Sequence, residues 1–231
     1  MYTYDFDKLN QLFSSLIEQH VNELALPWIK EKAEVAQGRD SFNKFPLAFA
    51  MVTRKVKNEP LNISGEIMAE ISSVIPKLSI SHWSVRRLVR VWLVMQINAS
   101  DKDQYTKQIK SLFSNADMNE LATLYASLPI LAYAEYWREQ CAEGIRSNIG
   151  YVLDAVIMDN PYPAEYLDEE AWNQLVLKAF FTEKDISRIV GLKERVNEKL
   201  VKALQDYADE RSSAGREINP KLWEIVNLMP Q

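Results

Sequence analysis

The chain has 231 residues, of which 47% are hydrophobic and 26% charged, and this balance excludes wholesale disorder. Its single cysteine, Cys141, excludes an internal disulfide and any zinc or iron–sulfur site built from several thiolates. The net charge is −5, and the basic residues cluster only at 54–57 and 86–90, which argues against binding of nucleic acid. We interpret both clusters as solvated helix faces.

The first half of the chain spaces its apolar residues as amphipathic helices do and lacks the alternation typical of strands. Pro27 ends the first helix or opens the second, Gly38 is a natural stop, and Ser64 is a candidate cap. Ser81 is predicted to cap the most apolar helix, which we expect at the centre of the fold. The predicted helices are 6–24, 27–37, 43–57, 64–75 and 82–98.

The second half continues the helical pattern, with Asp101 starting a helix to Phe113 and Asp117 and Glu120 forming a capping box. Asn160–Pro163 is predicted to be an extended or turn segment. Further helices are predicted over 119–128, 131–147, 149–158, 168–182, 197–213 and 219–227. Ten or so short helices in succession predict an all-α fold, with helical hairpins stacked as an α-solenoid or HEAT-like superhelix in a single domain over 1–231.

The N-terminal residues Met1–Asp7 lack the charged-then-apolar pattern of a secretory signal. The unbroken apolar run Val91–Met95 is far shorter than the roughly 20 residues that a membrane-spanning helix needs. We therefore expect a cytoplasmic protein without membrane insertion. A peripheral position at the inner face of the membrane stays open.

Residues for catalysis are sparse. His20 and His82 are the only histidines, and no glycine-rich nucleotide loop or Glu-x-x-His pair is present, so we predict no metal, no cofactor and no catalytic residue. Cys141 lies within a predicted helix and is expected to be a buried thiol. The six tryptophans are expected in the core, although a concave helical surface lined by Trp and Arg would suit a flat aromatic or isoprenoid-like molecule.

Several short runs near the C-terminus occur in a recognisable order. They are Gly144–Asn148, Asp159–Tyr166, Trp172–Ala179, Arg188–Leu192, Asp206–Arg211 and Ala214–Trp223. Together they resemble the EboA family of bacterial metabolite-traffic proteins, over about 144–227. The resemblance implies a non-catalytic adaptor or carrier in the biosynthesis or export of a secondary-metabolite precursor.

The resemblance also implies partners: proteins of the same operon, among them a UbiA-type membrane prenyltransferase, and a small apolar metabolite. Polar residues within the recognised runs and beside them are the candidate ligand or partner contacts. They are Arg146, Asn148, Asn173, Lys178, Glu210, Arg211 and Arg216. The alternative is an uncharacterised enzyme of the same pathway, with a polar site near Asn173, Arg211 and Arg216.

Two narrower expectations concern these candidates. Asn173 is expected to pin the Pro-rich loop to its helix, with ligand contact as the alternative. Arg146, Arg211 and Arg216 could together bind an anion, because guanidinium groups pair with carboxylates and phosphates.

Overall fold

The computed structural model describes residues 1–38 and 42–228, and within these ranges the chain is all-helical, without a β-strand. The helices are α1 (Phe6–His20), α2 (Leu26–Gln37), α3 (Phe45–Lys55), α4 (Gly65–Val74), α5 (Val85–Met95), α6 (Lys102–Asn115), α7 (Met118–Ala126), α8 (Arg138–Arg146), α9 (Gly150–Ile157), α10 (Tyr162–Tyr166), α11 (Glu169–Phe181), α12 (Glu198–Ser213) and α13 (Lys221–Val226). Short 3-10 turns lie at Phe42–Lys44, Leu128–Ile130, Ala134–Trp137, Ile186–Arg188 and Lys193–Arg195.

Local capping residues start many of these helices. The Ser64 hydroxyl accepts from the backbone N–H of Ile67, and Asp101 caps α6 in the same way. The predicted capping box is present, because Asp117 accepts from the N–H of Glu120 and Glu120 accepts from the N–H of Asp117. These predicted helix starts are therefore confirmed.

The prediction that Ser81 caps the central helix is wrong, because Ser84 is the cap and α5 begins at Val85. Residues 83–85 are held extended against 59–61. The N–H of Leu61 donates to the Trp83 carbonyl, and the N–H of Val85 donates to the Glu59 carbonyl, both at 2.9 Å. This long-range pairing delays the helix by one turn.

The segments around 131–137 and 160–166 also differ from the prediction. Tyr133 adopts a left-handed backbone with φ of 59°, so the expected helix 131–147 is reduced to a 3-10 turn followed by α8. The Pro-rich run, expected to be extended, contains the short helix α10, with Pro163 in its first turn, where proline is tolerated.

Helix α5 is the centre of the fold, as its composition predicted. It packs against α1, α2, α3 and α7, and every residue from Leu88 to Met95 is buried. One of these is charged: Arg90 is only 2% exposed. The solvated face expected for the 86–90 cluster is therefore wrong at Arg90, whose charge lies inside the core.

Helices α7, α8 and α9 pack closely in the second half of the chain. A Cβ atom at Gly144 would lie 2.5 Å from Tyr125 Cε1 and 2.7 Å from Val156 Cγ2, so only glycine permits this approach. The tight packing fixes the position of α9, which supplies one wall of the cavity described below.

Three connecting segments meet beside the start of α5. The N–H of Asp159 donates to the Arg188 carbonyl at 2.9 Å, and the N–H of Ser79 lies 3.4 Å from the Asp159 carbonyl. Asp159 itself has φ of 57°, an uncommon conformation that is often found at functional sites. The turn at Asp159 thus joins the loops before α5 and after α11.

The Pro-rich run has its own support. The Arg195 guanidinium donates to the carbonyls of Pro163, Ala164 and Leu167 at 2.9–3.1 Å and lies 4.8 Å from the Trp172 ring centroid.

None of the described helices is long and apolar enough to cross a membrane.

Candidate functional site

A cavity of about 290 Å³ opens where the start of α5, helix α9 and the Asp159 turn come together. We call it the Arg87 cavity. Its lining residues are Leu78, His82, Trp83, Arg87, Ala126, Tyr151, Asp154, Ala155, Met158, Asp159, Asn160 and Arg188. Other cavities in the described part of the chain are more spacious, but the lining of this one brings together two arginines, two aspartates and a histidine.

Arg87 stands in the first turn of α5 and is half-buried in this cavity. Within residues 1–38 and 42–228, its guanidinium has neither a hydrogen bond nor an ion pair. Burial lowers the pKa of Arg87, and the charge of Asp154 opposes this effect only in part. The cavity therefore contains a cation that lacks a contacting counter-charge.

The other charges of the cavity are paired. Asp154 accepts from Lys184 Nζ at 2.7 Å. Asp159 Oδ2 accepts from both Nε and a terminal nitrogen of Arg188, and this contact raises the pKa of Arg188. His82 Nδ1 lies 3.1 Å from the same Asp159 oxygen. Arg87 is thus set apart by having no such partner.

Apolar and aromatic side chains form the rest of the lining. Trp83 is 7% exposed, whereas Tyr151 is 54% exposed and is therefore open to solvent. Beneath them, the buried Asn160 amide donates to the Tyr125 and Ala155 carbonyls and accepts from the N–H of Tyr162. These bonds fasten the Asp159 turn to α7, α9 and α10.

The cavity is equipped for binding an anion next to an apolar surface. Among the residues that the structure describes, the lining includes no serine, threonine, cysteine or lysine that could act as a nucleophile. Cys141 is buried elsewhere, as predicted, and burial raises the pKa of its thiol. Among the described residues, no three His, Cys, Asp or Glu side chains are grouped to hold a metal ion.

Comparison with known proteins identifies the family. The model of the metabolite traffic protein EboA family matches residues 9–227. The chain belongs to the EboA family. The match extends far beyond 144–227, where the recognised runs lie. No curated protein and no solved structure is significantly similar to the chain.

The sequence-predicted contact residues of this EboA-family chain lie outside the lining of the Arg87 cavity. Lys178 donates to the exposed Asn148 at 3.2 Å. Arg146 is exposed and pairs with Glu143 at 2.6 Å, an ordinary i,i+3 surface pair. The structure therefore joins Asn148 to Lys178 and gives Arg146 a local partner.

Asn173 forms a reciprocal pair of amide hydrogen bonds with Asn197, at 3.1 and 2.9 Å. Asn197 also caps α12 by accepting from the N–H of Leu200. The expectation that Asn173 pins the Pro-rich loop is wrong, because Arg195 holds that loop while Asn173 joins α11 to the start of α12.

The remaining predicted residues belong to the end of α12 and the turn after it. Arg211 donates to the Glu217 carbonyl at 2.8 Å and lines a second cavity of about 380 Å³ with Tyr207. Glu210 and Arg216 are exposed. Gly215, with φ of 64°, ends the helix as its sequence predicted.

Sequence reasoning missed the residues of the Arg87 cavity as a set. Asp159 and Arg188 begin two of the recognised runs, and this signal pointed to them without showing that they touch. Arg87 was assigned to a solvated face with Arg86 and Arg90, and His82 was given no role. His82 is exposed, with 61% of its side chain accessible, and it contacts Asp159.

Proposed function

We propose that this EboA-family protein is a non-catalytic carrier that holds a small metabolite in the Arg87 cavity while the metabolite passes between other proteins. The observation that carries the proposal is the half-buried Arg87 guanidinium without a contacting partner. Partial burial weakens the solvation of a charge, and a ligand that supplies a counter-charge would offset that loss at Arg87.

Several features support binding without chemistry. The one imidazole in the cavity contacts Asp159 through an oxygen that also accepts from Arg188, so this carboxylate already has a cationic partner. The lining provides a cation, apolar walls and an open side, which suffice for reversible capture. The alternative of an enzyme with a site near Asn173, Arg211 and Arg216 remains a prediction that no contact in the described residues favours.

On this proposal the metabolite is a secondary-metabolite precursor, and the protein works with proteins of the same operon, including a UbiA-type membrane prenyltransferase. It would act in the cytoplasm, at or near the inner face of the membrane. The predicted stacking of helical hairpins into an α-solenoid would give the partners a curved surface to contact. Family membership supports the traffic role, while the partners and the stacking remain predictions.

Native mass spectrometry tests the carrier role. The protein is purified under non-denaturing conditions from the cells that make it, beside the variants Arg87→Met and Arg146→Met. We expect a small-molecule adduct on the wild type and on Arg146→Met, whose arginine is exposed and paired outside the cavity. The adduct should be absent from Arg87→Met.

An adduct that persists unchanged in Arg87→Met would refute binding in this cavity. Absence of an adduct from all three proteins, when the same cells accumulate the pathway precursor, would contradict the carrier role.

A further inference from the structure

We infer that the ligand of the Arg87 cavity is a small organic monocarboxylate with an apolar body. This inference rests on the proposed function and adds the chemical class of the ligand. It follows from the charge balance of the lining together with Lys184 beside it, the shape of a guanidinium and the character of the walls.

The charge balance leaves room for a single negative charge. The carboxylates of Asp154 and Asp159 each have a contacting cation, Lys184 and Arg188 respectively. Arg87 is the cation in this group that has no contacting anion among the described residues. The two arginines and two aspartates of the lining balance each other, and Lys184 beside Asp154 adds one positive charge, so a ligand with one negative charge neutralises the group. A second negative charge would exceed this balance.

The form of the available donor favours a carboxylate. A guanidinium presents its N–H groups in a planar fork that matches the two oxygens of a carboxylate. Phosphate also fits such a fork, but inorganic phosphate carries up to two negative charges near neutral pH and would face the aspartates with its extra oxygens. Charge therefore discriminates between anions that the fork alone would accept.

The walls indicate what the rest of the ligand is like. Leu78, Trp83, Ala126, Ala155 and Met158 form an apolar part of the lining beside Arg87, about as extensive as the polar part. The volume of about 290 Å³ lies at the lower end of the range for small-molecule pockets, so a compact ring or short chain fits best. A purely apolar metabolite, as expected from the sequence, would leave the guanidinium unpaired.

A titration with simple probes tests this class. Chemical shifts of the purified full chain are followed by nuclear magnetic resonance during addition of benzoate, benzamide or inorganic phosphate. Benzamide has the shape of benzoate without the charge. We expect benzoate to bind at least about tenfold more tightly than benzamide, because a hydrogen bond to a charged group is worth that much or more. Phosphate should bind more weakly than benzoate.

Variants of Arg87 and Arg146 test whether benzoate binds at the Arg87 guanidinium. Arg87→Met should weaken benzoate binding by at least about tenfold, and Arg87→Lys should lie between it and the wild type because it keeps the charge but loses the fork. Arg146→Met should bind like the wild type. Circular dichroism of each variant confirms that the helical fold is retained, so loss of binding cannot be ascribed to unfolding.

Several outcomes would overturn the inference. These are equal binding of benzamide and benzoate, tighter binding of phosphate, or benzoate binding that is indifferent to Arg87→Met. The carrier role would survive each of them if an Arg87-dependent adduct of another class were found in the protein from cells. The two proposals can therefore fail separately.

Discussion

Two arginines one turn apart on α5 are expected to respond in opposite ways to the same substitution. The buried Arg90 donates from Nε to the Phe49 carbonyl at 3.2 Å. One of its terminal nitrogens donates to Thr53 Oγ1 at 2.7 Å and to Glu120 Oε1 at 3.3 Å. In Arg90→Met these acceptors lose their donor, and the buried Glu120 loses its counter-charge.

The expected cost can be estimated from these contacts. Removing one partner of a buried ion pair typically destabilises a protein by about 3–5 kcal/mol. Glu120 keeps one bond in Arg90→Met, from the N–H of Asp117 to Oε2 at 2.9 Å, so we expect a value near 3 kcal/mol. For a chain of this length that lowers the Tm by about 6–12 °C.

Arg87→Met is the matched comparison, since it makes the same change on the same helix. The Arg87 side chain has no hydrogen bond to lose among the described residues, the backbone N–H bond to Ser84 Oγ is kept, and burial already lowers the pKa of the guanidinium. We therefore expect the free energy of unfolding to stay unchanged or to rise. The methionine chain retains most of the packing of the arginine stem.

Urea unfolding followed by far-ultraviolet circular dichroism measures both effects. A double variant, Arg90→Met with Glu120→Gln, should recover at least about 1 kcal/mol relative to Arg90→Met alone, because the remaining side chain is no longer charged. If Arg90→Met costs less than about 1 kcal/mol, or Arg87→Met costs as much as Arg90→Met, the contrast between a structural and a ligand-binding arginine is refuted.

Three further predictions concern stability. Gly144→Ala should lower the free energy of unfolding, measured with urea, by about 1–3 kcal/mol through overpacking. Gly65→Ala is the control and should leave it unchanged, because an added Cβ there meets nothing within 4 Å. Equal effects of the two substitutions would contradict the close packing at Gly144. Burial holds the pKa of Tyr105 well above 10, so the phenol loses its proton at lower pH in the unfolded chain than in the folded protein. The free energy of unfolding should therefore fall above about pH 10, by up to about 1.4 kcal/mol per pH unit. Between pH 8 and pH 11 the urea midpoint should fall less in Tyr105→Phe than in the wild type. Arg195→Met should speed proteolysis within 160–168, because three carbonyls there lose their donor; cleavage as slow as in wild type would contradict this role.

The helix starts could be predicted because their signals are local. A cap such as Asp117 acts on a backbone N–H three residues away, and Glu120 acts back on it, so four consecutive residues contain the whole interaction. The helix α5 was likewise predicted to be central because most of its residues are apolar.

The cavity could not be predicted because it depends on contacts between distant segments. The pairing of 83–85 with 59–61 decides whether Ser81 or Ser84 caps α5. The choice of cap in turn sets the position of the first turn of α5. The meeting of Asp159 with Arg188 and His82 depends on a left-handed turn that the sequence permits but does not demand.

The three arginines between 86 and 90 show why a charge cluster is ambiguous in a sequence. Arg86 donates to the carbonyls of Val56 and Thr53 at the end of α3, and Arg90 pairs with Glu120 inside the core. The fold thus supplies acceptors for two of the three. Desolvating a guanidinium has a free-energy cost that a structural residue recovers from its own partners, and Arg87 has none among the described residues. A bound anion would offset the desolvation of Arg87, so ligand binding should raise the Tm of the wild type and leave that of Arg87→Met nearly unchanged.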